Sequence, residues 1–147
     1  NHGSANGWSL TRFEGLAEAL LAEDVSVVVT GSPQERAALT PWLDRMSGTP
    51  GFTDAVGAWT LSQLMDAVTQ VRCVVASSTG PLHMAAAQGT PTVGLYRSDA
   101  PFWPERWGPL GPGEVLATSA LEAKGGLNLS VEDVLAAVHR VRALDVP

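Results

Sequence analysis

Cysteine and positive charge are scarce in this sequence. Its 147 residues include one cysteine, Cys73, so no disulfide can form within the chain. Nine basic residues stand against fifteen acidic ones, which gives a net charge of −6. A chain with this charge balance and no basic stripe is poorly suited to bind nucleic acid, and we expect no nucleic-acid partner. Cys73 lies on a predicted buried strand, so we interpret it as an inert core residue.

Long apolar runs are absent as well. No apolar stretch approaches the roughly 20 residues that span a bilayer, and the opening residues, Asn1 to Gly7, do not have the pattern of a signal peptide. We therefore expect a soluble chain. With a hydrophobic fraction of 45%, a chain of this length can bury one core, which predicts a single domain over residues 1–147.

Apolar residues follow helical and strand periods in alternation along the chain. The predicted helices cover residues 11–23, 33–46 and 81–88 and two further segments that open near residues 57 and 130; the predicted strands cover 25–30, 71–76, 92–95 and 114–117, with a weak segment at 54–56. Parallel strands with such short connections need crossover helices. The pattern therefore predicts an α/β fold with a Rossmann-like parallel sheet and helices on both faces.

Local signals add detail to these elements. Thr11 and Glu14 form a potential capping box for the first helix, and Ser32 stands as the cap of the second, with Glu35 three residues later. The β-branched run at 25–30 is too apolar to be half exposed, so we expect cover on both of its faces. The predicted helix that opens near residue 57 carries its apolar residues on one side: Leu61, Leu64, Met65 and Val68.

The strongest chemical signal is the turn between the strand at 71–76 and the helix at 81–88. In open α/β sheets, ligands bind beyond the carboxyl ends of strands, where helix N-termini expose unpaired amides and the positive end of the helix dipole. Phosphate groups suit such a place. The turn offers two hydroxyls, a glycine that permits close main-chain approach, a proline with a helical φ and an imidazole that can donate to phosphate: Ser78, Thr79, Gly80, Pro81 and His83.

This turn also allows other interpretations. In one, His83 caps or packs against a neighbouring loop. A Ser/His/Asp triad is disfavoured because Ser78 lacks the Gly-x-Ser-x-Gly elbow and no aspartate is placed to orient His83. A metal site is disfavoured because His2 and His139 are remote in sequence. The glycine is not followed by Gly-Lys-Ser/Thr, which argues against a nucleotide-hydrolysing P-loop.

With these residues in view, the chain resembles the C-terminal domain of the bacterial heptosyltransferases, glycosyltransferase family 9, which have the two-domain GT-B fold. The specific part of the resemblance is the block Ser78-Thr-Gly-Pro-Leu-His-Met-Ala-Ala-Ala-Gln-Gly-Thr-Pro91. Weaker matches lie along the rest of the chain, at the Gly3-Ser4 loop, Trp8, 30–35, 57–61 and 104–112. The resemblance implies the C-terminal half of a GT-B glycosyltransferase, with the N-terminal acceptor domain absent from this chain.

The resemblance further implies that the chain binds a nucleotide-sugar donor, typically ADP-heptose. The expected donor-binding residues are Ser78, Thr79, Gly80, Pro81, His83, Glu35 and Trp59. The turn would bind the diphosphate, Glu35 the ribose hydroxyls, and the main chain around Trp59 the base. From the residues themselves, Glu35 is equally the capping partner of Ser32, and Trp59 is equally a plug in the core.

For the whole enzyme, the resemblance implies an inverting transferase that needs no metal or other cofactor. It acts on lipopolysaccharide or another cell-surface glycan, through a lipid-linked acceptor on the N-terminal domain, and is cytoplasmic or peripheral at the inner membrane face. No catalytic residue is expected in this chain, because the family's proposed general base, an aspartate, belongs to the N-terminal domain. The chain alone should bind donor at best.

Two positions depart from the family pattern. Ser78 stands where the family usually has aspartate, and Asn6 stands near a position that is basic in many members. Arg97 or a group from another domain would then compensate for the neutral Asn6. These departures leave two alternatives open: a non-catalytic Rossmann-like binding module, or a GT-B donor domain for a different nucleotide sugar.

Overall fold

Helices and strands alternate through the computed structural model, which describes residues 7–77, 80–99 and 111–144. The helices are α1 (Leu10–Ala22), α2 (Arg36–Met46), α3 (Leu61–Val68), α4 (Gly80–Ala87) and α5 (Val131–Arg142). The strands are β1 (Val27–Gly31), β2 (Phe52–Val56), β3 (Val74–Ser77), β4 (Thr92–Arg97) and β5 (Gly113–Thr118). The strands pair in parallel. The predicted α/β class is confirmed.

Hydrogen bonding divides these strands into two parallel sheets. β1 pairs with β2, with Val27 opposite Phe52. β4 lies between β3 and β5, and its Val93 is opposite both Val75 and Glu114. The sequence predicts one sheet, whereas no strand pairing joins β1 to β3 in the described part of the chain. The two sheets meet through side chains, since Val27 and Val75 pack against the same core cluster.

Two clusters of buried side chains hold the helices on the sheets. The larger cluster joins α1 and α5 to strands of both sheets and includes Trp8, Leu16, Leu20, Val93, Leu95, Val134, Val138 and Val141. The smaller cluster packs α2 against β1 and β2, and in it the rings of Trp42 and Phe52 meet edge to face at 5.4 Å. The buried residues of α5 are Val134, Ala137, Val138 and Val141.

Cys73 packs against the larger cluster. Burial raises the pKa of its thiol to about 11, so very little thiolate forms at neutral pH. This agrees with an inert core residue. None of the helices in the described ranges is long and apolar enough to cross a membrane.

Strand β1 is covered on one face only, so the prediction of cover on both faces is wrong. Val27 and Val29 pack against the core clusters, while Val28 is 41% exposed. A run of β-branched residues looks the same whether one face or two are covered. Helix α3 also leaves much of its apolar side in solvent, since Leu61 is 67% exposed and Val68 is its one buried residue.

The first two helices begin elsewhere than predicted. Ser9 caps α1, and its Oγ accepts a hydrogen bond from the main-chain N of Arg12 at 3.3 Å. Thr11 therefore lies inside the helix and is not its cap. Ser9 has the extended main chain of a capping residue, which directs its hydroxyl at the first turn. Helix α2 begins at Arg36, after a separate turn at 33–35.

Candidate functional site

The carboxyl end of β3 leads into the amino end of α4 through two residues. β3 ends at Ser77 and α4 begins at Gly80. The connecting residues, Ser78 and Thr79, lie outside the described residues, and their roles stay predictions. Gly80 is exposed, and among the described residues a Cβ placed on it would meet no atom within 4 Å. The helix end is therefore open at Gly80, as an anion site at a helix N-terminus requires.

His83 lies in the first turn of α4, on its solvent side. The residues that α4 turns inward are Leu82, Ala85 and Ala86, all buried, whereas His83 is exposed. Within the described ranges the imidazole has no hydrogen bond or ion pair. No contact within these ranges decides between ligand binding by His83 and its packing against a loop, and both stay predictions. The side chain is placed where a ligand at the open helix end can reach it.

Helices α3 and α4 direct their amino ends toward the same edge of the molecule. The two helices pack against each other. Their carboxyl ends are joined by Thr90, just beyond α4, whose Oγ1 donates to the main-chain O of Val68 at 2.6 Å. Because the carboxyl ends lie together, the residues that precede α3 lie on the same side of the molecule as His83.

Trp59 is one of those residues, and it is not a plug in the core. Its side chain is 37% exposed. The next residue, Thr60, caps α3: its main-chain N donates to Oε1 of Gln63 at 2.8 Å, and its Oγ1 accepts from the N of Gln63 at 3.2 Å. This reciprocal capping box fixes the main chain beside Trp59.

Glu35 lies over the carboxyl end of β1 and makes the reciprocal contacts with Ser32 that the sequence suggested, but they lie in the turn before α2 and Ser32 is not the cap of that helix. Its Oε1 accepts hydrogen bonds from the N of Ser32 at 3.2 Å and from the Oγ of Ser32 at 3.1 Å. Burial would raise the pKa of Glu35, but hydrogen bonds donated to the carboxylate, including those from Ser32, outweigh burial and lower the pKa. The group is thus an ionised acceptor at neutral pH, and its binding to ribose stays a prediction.

The ends of β1 and β2 bring Glu35 and Trp59 to a common edge. The main-chain N of Gly57 donates to the O of Gly31 at 2.8 Å. Gly57 also has a φ of 68°, and a Cβ there would lie 3.1 Å from the Cα of Pro33. Glycine is needed at this close contact between the turn after β1 and the segment that leads to Trp59.

Arg97, the last residue of β4, is engaged by a near neighbour. Its Nε donates to Oδ1 of Asp99 at 2.9 Å, and its Nη2 forms an ion pair with Oδ2. These hydrogen bonds hold the pKa of Asp99 below its usual value. A donor phosphate would have to compete with Asp99 for this guanidinium. Asn6, whose neutrality Arg97 was expected to offset, lies outside the described residues.

The structure adds one buried contact at this edge that sequence reasoning missed. The main-chain N of Trp8 donates to the Oγ of Ser77 at 3.0 Å. The two residues are 69 positions apart, so no local pattern could have indicated the contact. Part of the signal was present, because a serine directly follows the predicted strand at 71–76 and a buried hydroxyl needs a partner.

A cavity of about 430 Å³ lies at the opposite edge, where β3 and β4 begin. The carboxyl ends of α3, α4 and α5 meet there, and helix carboxyl ends carry the negative end of the dipole. This cavity is therefore a poorer place for phosphate than the amino end of α4. Its lining residues are Thr69, Val71, Arg72, Gln88, Gly89, Thr90, Pro91, Val141, Arg142 and Leu144. No cluster of metal-ligating side chains occurs in the part of the chain that the structure describes.

The class of protein follows from this fold and its open strand-to-helix edge: a parallel α/β domain of the GT-B glycosyltransferase type. A solved glycosyl transferase family 9 structure from Veillonella parvula superposes with a TM-score of 0.78 at 24% identity, covering 97% of this chain and 44% of that chain. The structure of E. coli ADP-heptose lps heptosyltransferase II gives a TM-score of 0.74 at 22% identity, covering 92% of this chain and 41% of that chain.

The particular family comes from the sequence. Residues 2–130 match the model of glycosyltransferase family 9 (heptosyltransferase), and the chain belongs to this family. The lipopolysaccharide core heptosyltransferase OpsX of Haemophilus influenzae is 27% identical over 97 residues, which are 65% of this chain and 27% of that protein. The chain thus spans about a third or less of the length of such relatives, which are matched over 27–31% of their own length.

Proposed function

We propose that this chain is the donor-binding domain of an inverting glycosyltransferase and that its donor is a nucleotide sugar of the ADP-heptose kind. The observation that carries the proposal is the open amino end of α4, with exposed His83 beside it, at the carboxyl end of β3. Unpaired amides and the helix dipole favour a diphosphate there. The solved relative named for ADP-heptose supports this choice of donor.

Each part of the donor has a proposed place. The diphosphate binds at the amino end of α4, the ribose hydroxyls donate to the ionised Glu35, and the base lies against Trp59. The exposure of Trp59 and the position of Glu35 close to Gly31, the last residue of β1, support these roles. The proposed donor-binding set is Ser78, Thr79, Gly80, Pro81, His83, Glu35 and Trp59.

The proposed chemistry divides between this chain and the rest of the enzyme. The acceptor hydroxyl attacks the anomeric carbon, and the bond from that carbon to the diphosphate oxygen breaks. Negative charge then develops on the departing diphosphate, where the α4 dipole and His83 stabilise it without a metal. The acceptor proton goes to a general base, which we place in an N-terminal domain. That domain also holds the lipid-linked acceptor, at the cytoplasmic side of the membrane.

A titration tests the donor assignment. ADP, UDP and GDP are added separately while tryptophan fluorescence is followed, and ADP is expected to bind best. Because Trp59 lies at the proposed base site, Trp59→Phe should remove most of the fluorescence change. Tighter binding of UDP or GDP would indicate a donor with another base. Absence of binding by all three would contradict the proposal, and the chain alone should transfer no sugar even when ADP binds.

A further inference from the structure

Ser77 is the last residue of β3, and its side chain faces inward. It is 3% exposed, and its Oγ accepts the hydrogen bond from the main-chain N of Trp8 at 3.0 Å. Trp8 is itself 4% exposed. A buried main-chain N–H needs an acceptor, and here a side chain supplies it in place of a strand or helix partner.

Trp8 is also held from a second direction. Its indole Nε1 donates to the main-chain O of Leu129 at 2.8 Å, and the N of Leu127 donates to the O of Gly7 at 3.0 Å. The indole ring meets Phe13 edge to face, with ring centres 4.8 Å apart. The chain that enters α1 is therefore fixed between the end of β3 and the segment 127–129.

Two helices begin beside this hydrogen bond. α1 starts at Leu10, two residues after Trp8, and α4 starts at Gly80, three residues after Ser77. The positive ends of both helix dipoles thus lie at the same place in the fold. The hydrogen bond between Ser77 and Trp8 ties the position of one helix end to that of the other.

We propose that Ser77 is a positioning residue of the donor site: its hydroxyl fixes the amino end of α1 relative to the amino end of α4, so that both ends face the diphosphate. This inference rests on the proposed function, because it concerns the same diphosphate. Ser77 itself does not touch the ligand. It acts through Trp8, and its loss should affect binding of the phosphates without affecting binding of the base.

The test compares Ser77→Ala with the unsubstituted chain for two ligands, ADP by titration calorimetry and adenosine by ligand-observed NMR. Because Ser77 acts only through the position of the α1 amino end, loss of the hydroxyl should weaken ADP binding about five- to tenfold, which corresponds to roughly 1–1.4 kcal/mol. Adenosine, which has no phosphates, should bind within about twofold of the unsubstituted chain. Ser77→Cys keeps a weak acceptor and should fall between the two.

The matched control is Thr90→Val. Thr90 also has a buried hydroxyl bonded to main chain, but it lies at the opposite edge of the molecule. This variant should lose stability while it binds ADP and adenosine normally.

Three results would overturn the inference. They are unchanged ADP binding in Ser77→Ala, equal loss of ADP and adenosine, and loss of ADP binding in Thr90→Val. If Ser77→Ala does not fold, Ser77→Cys replaces it. A loss of ADP affinity without loss of adenosine affinity in Ser77→Cys would support the inference, and unchanged ADP affinity or an equal loss of both would overturn it. If the unsubstituted chain does not bind ADP, the proposed function fails first and this inference with it.

Discussion

Arg140 of α5 and Glu114 of β5 form a two-pronged ion pair. Nε of Arg140 lies 2.7 Å from Oε1 of Glu114, and Nη2 lies 2.8 Å from Oε2. Such bidentate geometry aligns both planar groups and is stronger than a single contact. The hydrogen bonds from Arg140 hold the pKa of Glu114 below its usual value. The pair fastens the last helix to the edge strand of the three-stranded sheet.

The stability that this pair supplies should depend on pH. Because the pKa of Glu114 is lower in the folded chain than in the unfolded one, the contribution is complete above the ordinary glutamate pKa and is lost as pH falls through the lowered value. Glu114→Gln should therefore unfold at lower urea concentration than the unsubstituted chain at neutral pH, and the difference should vanish in acid. Since both groups face solvent, it should be small and shrink with salt.

A double-mutant cycle provides the control for this pair. Arg140→Gln should cost about as much as Glu114→Gln, and the double variant should cost little more than either. A difference between Glu114→Gln and the unsubstituted chain that persists in acid would show that the pair is not its source.

His83→Ala should weaken ADP binding at least about tenfold, because a hydrogen bond to a charged group is worth roughly 1.5–3 kcal/mol. Stability should hardly change, since the side chain is exposed. The matched control is His139→Ala: this histidine is also exposed, but its Nε2 pairs with Oε2 of Glu23 at 2.9 Å, away from α4. Titration calorimetry measures both variants. Unchanged ADP affinity in His83→Ala would remove His83 from the site.

Gly80→Ala should separate binding from stability. No described residue crowds Gly80, and alanine has a higher helix propensity than glycine, so the melting temperature should stay or rise. The added methyl lies where a phosphate is expected to approach the main chain, so ADP affinity should fall. Gly113→Ala is the contrasting variant: its Cβ would lie 2.0 Å from the O of Thr92, so it should melt at a much lower temperature. A Gly80→Ala variant that binds ADP normally would place the diphosphate elsewhere.

Much of the fold was predictable because its signals are local. The order of strands and helices follows from hydrophobic period. The last helix opens near residue 130 as predicted, where Ser130 caps α5 by accepting from the N of Asp133 at 3.1 Å. Ser9 and Thr11 show the limit of such signals, since both residue types cap helices and only the main-chain conformation decides between them. The position of β1 was predicted within a few residues. Its cover on one face only was not predicted, because a β-branched run has the same sequence pattern in either case.

The candidate site was predictable only in part. Gly80 and His83 lie in the first turn of a helix, as predicted from the features of a helix N-terminus that stand together in the sequence, and their binding of a ligand stays a prediction. The capping contacts of Glu35 were anticipated, but the choice between that role and ligand binding needs a bound nucleotide. The contact between Trp8 and Ser77 could not be predicted, because it depends on how distant segments pack.

The separation of the strands into two sheets affects how the proposed site is built. Glu35 and Trp59 follow strands of the two-stranded sheet, whereas His83 follows a strand of the three-stranded sheet. Within the described residues no strand pairing joins β1 to β3. Side-chain packing and the hydrogen bond from Thr90 to Val68, rather than strand pairing, set the spacing between the nucleoside half of the site and its phosphate half. A slight slide of one sheet past the other would change that spacing without breaking a strand-to-strand hydrogen bond.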